Sequence, residues 1–254
     1  MTNPPAPVLQ ATGLTFAWKG QPEPCLQIDT LTLQAGEQML LLGPSGGGKS
    51  TLLGLLGGVL QPTQGEVQLL GQTFSGLRAS ARDRLRANHV GFIFQQFNLV
   101  PYLSLEDNVL LPCHFSAVRR QRAGSNPRAT ARELLQALEL PADAWQRPVT
   151  GLSVGQQQRA AAARALIGHP ELLIADEPTS ALDSINRDRL MQLLMAQLKK
   201  TGGTLLVVSH DEQLRPHFGR VLQLADINRV AGDTRPADPG SLLPAVSISA
   251  SVRE

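Results

Sequence analysis

The densest chemistry in the chain lies in Gly43-Pro44-Ser45-Gly46-Gly47-Gly48-Lys49-Ser50-Thr51. The apolar run Met39-Leu40-Leu41-Leu42 precedes it and Leu52-Leu53-Gly54-Leu55-Leu56 follows it. That order predicts a strand, a glycine loop and a helix, the setting in which G-x-x-x-x-G-K-[ST] binds nucleotide phosphates. Glycines let backbone N–H groups turn inward around an anion, because no Cβ blocks the approach. The helix starting near Lys49 points its positive dipole end at the same anion. Lys49 is placed to reach the β- and γ-phosphates, and Ser50 to put its hydroxyl on Mg²⁺.

Two further groups stand at the ends of apolar runs. Asp176-Glu177 follows Leu172-Leu173-Ile174-Ala175, and His210 follows Leu205-Leu206-Val207-Val208-Ser209. An Asp-Glu pair after a strand is on its own compatible with a simple turn, and His210 with a surface or core histidine. The phosphate loop upstream changes that weighting, because open α/β sheets bind ligands at the carboxyl ends of their strands. Asp176 then serves as a second Mg²⁺ anchor. Glu177 orients or deprotonates an attacking water, and His210 bonds the γ-phosphate.

The elements that must hold these groups are read from periodicity. Strands are expected over Val8–Trp18, Leu26–Leu33, Val67–Leu70 with Gly71, Val90–Phe94, Glu171–Ala175, Thr204–Val208 and Val221–Leu224. Gln61 to Glu66 reads as a turn. Helices are expected over Leu77–Asn88, from a Ser104/Asp107 cap through Val109-Leu110-Leu111, over Pro127–Leu140, from Leu152 to Ile167, and over Ile185–Lys200. Arg78, Arg82, Arg84 and Arg86 read as a solvated helix face. Arg119, Arg120, Arg122 and Arg128 read as a basic, loop-like patch, either solvated or set near anionic lipid. Continuous apolar strands alternating with helices predict an α/β fold with a mostly parallel sheet. A helical lobe, about 96–165, is inserted between two of its strands. Residues 231–254, rich in Gly, Pro, Ser and Ala, read as a loosely ordered tail.

Composition narrows the partners. The chain has 254 residues, a hydrophobic fraction of 42%, and a net charge of only +2 with 4% aromatics. That balance argues against nucleic-acid binding, which favours a strong basic face or stacking platforms. Two distant cysteines, Cys25 and Cys113, suggest a reducing compartment. The Met1–Pro7 segment lacks the pattern of a signal peptide, and no apolar run reaches the ~18 residues of a membrane span. The expectation is a cytoplasmic protein that meets the membrane only through a partner.

Together these residues resemble the nucleotide-binding subunit of an ATP-binding cassette (ABC) transporter, over roughly residues 8–225. Gly43–Thr51 resembles the Walker A loop and Leu172–Glu177 Walker B. Leu152-Ser153-Val154-Gly155-Gln156 is similar to the LSGGQ signature, Ser180-Ala181-Leu182-Asp183 to the D-loop, Gln95 to the Q-loop glutamine and His210 to the switch histidine. The resemblance implies the ABC ATPase fold, with an antiparallel β subdomain beside the parallel core, and ATP hydrolysis with Mg²⁺. It implies Glu177 as catalytic carboxylate, His210 and Gln95 beside it, and Ser50, Gln95 and Asp176 around the metal. Trp18 stands where the family stacks an aromatic on adenine, with Phe16 as a rival. Ser153, Gly155, Gln156 and Asp183 would meet nucleotide bound on a second copy of the chain, so that ATP joins two copies head to tail. Val154 departs from the signature's first glycine.

A narrower resemblance lies in Val90–Pro101 followed by Ser104-Leu105-Glu106-Asp107-Asn108-Val109. This stretch is similar to the cassettes of lipoprotein release, macrolide export and cell division. It implies an integral membrane permease subunit as partner, docked at the inner face of the cell membrane. The apolar stretch Phe97, Leu99, Val100, Pro101, Tyr102 and Leu103 is either partner surface or core. A soluble ABC ATPase of translation or repair is the alternative, but this chain has one cassette and no heptad run between 49 and 176. Another phosphate-loop enzyme, such as a kinase, leaves 152–156 unexplained.

Overall fold

The computed structural model describes residues 6–230. The expected tail, 231–254, lies outside the described residues. In chain order the strands are β1 Leu9–Phe16, β2 Leu26–Leu33, β3 Gln38–Leu42, β4 Gln64–Leu69, β5 Gln72–Thr73, β6 Val90–Ile93, β7 Leu172–Asp176, β8 Thr204–Ser209 and β9 Arg220–Gln223. The helices are α1 Lys49–Leu56, α2 Ala79–His89, α3 Leu105–Phe115, α4 Ala117–Arg122, α5 Pro127–Ala137, α6 Val154–Leu166, α7 Ser184–Thr201 and α8 Leu224–Ile227. The strands form two sheets. One is antiparallel, in the order β2-β1-β4-β5, and the other parallel, in the order β6-β7-β8-β3-β9. This is the fold class the sequence predicted. Helices α3 to α6 fall in sequence between β6 and β7, which are neighbours in the parallel sheet.

The central strands of the parallel sheet, β7, β8 and β3, are buried on both faces, so their apolar runs are continuous rather than alternating. Their side chains still divide by period two. Leu40, Leu42, Leu173, Ala175, Leu205 and Val207 face one core, shared with α3, α5, α6 and α7. Met39, Leu41, Leu172, Ile174, Leu206 and Val208 face the other, shared with α1 and the antiparallel sheet. Fully burying each of these leucine, isoleucine, valine and methionine side chains is worth roughly 1.5–3 kcal/mol.

Four local expectations are corrected. Gln64-Gly65-Glu66 is not a turn but the start of β4. Gly65 takes φ 80, and a Cβ there would lie 2.2 Å from Gly13 O, so the two backbones cross at the β1 irregularity between Thr12 and Thr15. Leu70 and Gly71 do not extend β4. Both have positive φ, and they form the two-residue turn into β5. Arg82 is not solvated, because it is buried and donates to Gly58 O and Leu77 O. The residues Arg119 to Arg128 are not a loop-like patch. Arg119 and Arg122 lie in α4 and Arg128 in α5. Arg119 is buried and donates to the carbonyls of Ala165 and Ile167, closing the C-terminal end of α6. Arg122 pairs with Glu171, and Arg128 with Glu106 and Asp107. Arg120, also in α4, is exposed. Among the described residues no helix is long and apolar enough to cross a membrane.

Candidate active site

Sheet order and register bring the chemistry together. β7, β8 and β3 are adjacent, with Asp176 opposite Val208 and Leu42 opposite Ser209. The phosphate loop, Asp176-Glu177 and Ser209-His210 therefore leave the sheet at one carboxyl edge. β6, the next strand out, delivers Gln95 to the same edge.

α1 begins at Lys49 behind Gly48, whose φ is 91, and no side chain caps it. Its first N–H groups are thus left for an anion. A Cβ on Gly48 would press against Leu26 Cδ2 at 3.1 Å in a backbone region hostile to side chains. Lys49 is buried, and its Nζ donates to Gly43 O at 2.8 Å and Pro44 O at 2.9 Å. The same Nζ lies 3.4 Å from Glu177 Oε1.

Glu177 is buried and has φ 46, a left-handed backbone uncommon for a residue with a side chain. Its N–H donates to Val208 O at 2.9 Å, fixing the turn out of β7. Oε1 lies 2.9 Å from His210 Nδ1, and Oε2 accepts the Ser209 hydroxyl at 2.8 Å. Ser209 in turn accepts the Asp211 N–H at 3.0 Å. The carboxylate is held at both oxygens while His210 stays exposed, with 55% of its side chain open to solvent.

Ser50 Oγ donates to Asp176 Oδ2 at 3.1 Å. Burial lifts the Asp176 carboxyl above its ordinary range and the Glu177 charge adds to this. The Ser50 hydrogen bond and the Lys49 charge oppose it. Ser50, Asp176 and Gln95 line one cavity of about 190 Å³. A hydroxyl, a carboxylate and an amide oxygen are the hard donors that Mg²⁺ takes. Among the described residues no group of three or more His, Cys, Asp or Glu is placed to hold a metal.

The remaining expected residues sit apart from this cluster. Ser153 caps α6 in a capping box. Its Oγ accepts the Gln156 N–H at 3.3 Å, and Gln156 Oε1 accepts the Ser153 N–H at 2.9 Å. Asp183 caps α7 through the Asn186 N–H at 2.8 Å. Among the described residues, no hydrogen bond or ion pair joins Ser153, Gly155, Gln156 or Asp183 to the phosphate loop. Val154 opens α6 with its side chain 46% exposed. Phe16 is core, while Trp18, beyond the end of β1, is half-buried and edge-on to it, with centroids 4.9 Å apart. Sequence reasoning missed Ser209, which holds Glu177, and Gln158, which is buried and donates to Pro178 O at 2.8 Å just after it. Only adjacency to His210 and to the signature could have flagged them.

A parallel sheet with a phosphate loop, two carboxylates and a histidine meeting at its carboxyl edge defines a phosphate-loop nucleotide-binding protein. Residues 26–180 match the family model described as ABC transporter, and the chain belongs to that family and carries its ATPase cassette. An uncharacterized ABC transporter ATP-binding protein of Escherichia coli K12, YbbA, is 42% identical over 210 residues, covering 82% of this chain and 90% of that one. The macrolide export ATP-binding/permease protein MacB 1 of Aeromonas hydrophila is 41% identical over 217 residues, 85% of this chain but 33% of that protein. The chain thus spans about a third of MacB, and the likeness to macrolide-export cassettes read from Val90–Val109 is borne out. The dimeric structure of MJ0796, a cassette from Methanocaldococcus jannaschii, superimposes with a TM-score of 0.75 and 35% identity, over 85% of this chain and 93% of that one.

Proposed function

We propose that this chain is the ATP-hydrolysing subunit of an ABC transporter, working as a homodimer that couples ATP-driven closure to a separate integral membrane permease. The observation that carries the reading is the carboxyl-edge cluster: Lys49, Ser50, Asp176, Glu177 and His210 linked by hydrogen bonds and an ion pair. Phosphates of ATP occupy the loop 43–51, Trp18 stacks on adenine, and Lys49 exchanges its carbonyl partners for phosphate oxygens. As Lys49 turns to the phosphates its contact with Glu177 loosens, and Glu177, held by Ser209 at Oε2 and by His210 at Oε1, is the carboxylate placed to take a proton from the attacking water. Ser50, Asp176 and Gln95 would hold Mg²⁺, which neutralises charge on the phosphate oxygens. In this reading residues 1–230 are one cassette and 96–165 its helical lobe.

The isolation of Ser153, Gly155, Gln156 and Asp183 from the phosphate loop supports a site completed by a second copy, as does the dimeric state of MJ0796. A permease partner in the membrane is supported by MacB, whose name joins an ATP-binding and a permease part. The chain would then work at the cytoplasmic face. A soluble, non-transport ATPase has no observation in its favour.

Glu177→Gln tests the reading. It should keep ATP binding, trap an ATP-bound dimer on size-exclusion chromatography and cut turnover ~10²–10⁴-fold. Adding Ser153→Arg to the trapped form should return it to monomer with nucleotide still bound. Parental turnover by Glu177→Gln removes Glu177 from the mechanism, and a Ser153→Arg chain that still dimerises removes the shared site.

A further inference from the structure

Arg164 stands on α6, three turns beyond the Ser153 cap. Its guanidinium reaches to the loop after β6, donating to Asn98 O through Nη1 and to Phe97 O through Nη2, each at 2.5 Å. Both carbonyls belong to left-handed residues, with φ 57 at Phe97 and 49 at Asn98. Consecutive side-chain-bearing residues in that region carry torsional strain and persist only where the surroundings hold them. The turn also closes on itself. Phe97 N donates to Phe94 O at 3.0 Å and Asn98 N to Gln96 O at 2.6 Å, which places Gln95 inside the curl. Gln95 is exposed there, in the cavity that Ser50 and Asp176 line.

Among the described residues no carboxylate pairs with Arg164, and burial pushes its pKa down to about 10, so it remains a cation at neutral pH. A partly buried cation without a counter-ion is a poor stabilising device. Its planar fork, however, can bridge two adjacent carbonyls, which a lysine ammonium cannot do in the same geometry. The same C-terminal end of α6 is fixed by Arg119 of α4, which bonds the carbonyls of Ala165 and Ile167, so the end of α6, α4 and the Gln95 turn form one braced unit.

We infer that Arg164 is a positioning residue that sets Gln95 from the signature helix, so that any shift of α6 is carried through the 97–98 carbonyls to the Ser50–Asp176 cluster. The inference rests on the ATPase reading above and adds to it a physical link between the two halves of a shared site: α6 begins at Ser153 and ends beside the turn that aims Gln95.

A double-mutant cycle on the full chain tests it. Arg164→Lys should lower kcat on the order of 10-fold, the scale expected when a reacting group is mispositioned, while the Kd for ATP is unchanged. Gln95→Ala should lower kcat as well, and Gln95→Ala with Arg164→Lys should be no slower than the slower single variant, because the two act as one. Hydrogen exchange at the amides of 97 and 98 should speed up in Arg164→Lys. Multiplicative losses in the cycle, parental kcat, or unchanged exchange would each overturn the proposal. If Arg164→Lys loses its helical circular dichroism, Arg164→Gln carries the same cycle. If the parental chain hydrolyses no ATP, the ATPase reading fails, and the exchange measurement alone then decides whether Arg164 holds the turn.

Discussion

The Ser209 hydroxyl donates a 2.8 Å hydrogen bond to Glu177 Oε2, across from the last residue of β8 to the residue that follows β7. A charge-assisted hydrogen bond to a carboxylate oxygen fixes the direction of the group. Ser209→Ala should therefore leave the KM for ATP near parental and lower kcat on the order of 10-fold. Ser209→Thr, which keeps the hydroxyl, should restore kcat. A parental kcat in Ser209→Ala would show that the bond does nothing for the carboxylate.

Phe16 and Trp18 meet edge to face but differ in burial, and two substitutions separate them. Trp18→Ala should weaken nucleotide binding with little change in stability. Phe16→Ala should leave a cavity between the antiparallel sheet and the rest of its core and cost about 3–5 kcal/mol in denaturant unfolding. Fluorescent-nucleotide titration of both variants checks the assignment, and loss of affinity in Phe16→Ala alone would reverse it.

Tyr102 is 77% exposed, whereas Leu99, in the same stretch, packs on the core beside the helical segment. The stretch after Gln95 is thus neither all core nor all surface. Asn108, fully buried, pins it by bonding both the N–H and the carbonyl of Val100 and the carbonyl of Ser104. Tyr102→Glu should leave basal hydrolysis and the unfolding midpoint intact while cutting co-purification with the proposed membrane permease. Loss of basal hydrolysis would mark Tyr102 as structural, and undiminished co-purification would move the docking surface elsewhere.

Glu171 ties three elements together, accepting from His89 of α2 and from Arg122 of α4. Burial works against its charge, but these hydrogen bonds outweigh it and hold the carboxyl down to about 2. A folded pKa below the unfolded value means stabilisation that is full above about pH 4.5 and fades as pH falls toward the folded pKa. Glu171→Gln should cost about 2 kcal/mol at neutral pH. The gap in Tm between parental and variant should close between about pH 4.5 and about pH 2. A gap that persists unchanged at low pH would mean that shape, not charge, holds the junction.

The parts of the site that the sequence disclosed are those whose meaning is local. Gly43–Thr51 declares itself because loop, lysine and helix are contiguous, and Asp176-Glu177 and His210 because each ends an apolar run. Ser209, Gln158 and Arg164 stayed silent because their partners are 20 to 67 positions away in the chain, and residue type alone does not point to a partner. The arginines misled for a related reason. Arg82 and Arg119 read as solvated charge, yet each is spent on backbone carbonyls, a use that no local pattern signals. Gln64-Gly65-Glu66 has turn composition, but the glycine serves a close crossing of two strands rather than a reversal.

The two cores meet along strands whose side chains alternate between them, with Leu205 and Val207 turned one way and Leu206 and Val208 the other. A molecule that threaded β8 one position out of step would put each of these side chains on the wrong side of the sheet. The same misstep would carry Ser209 and His210 away from Glu177, since that strand also delivers them. Packing error and chemical error are therefore one event. A chain folded out of step would lose its interior and its hold on Glu177 together, so the register that builds the core also sets the chemistry.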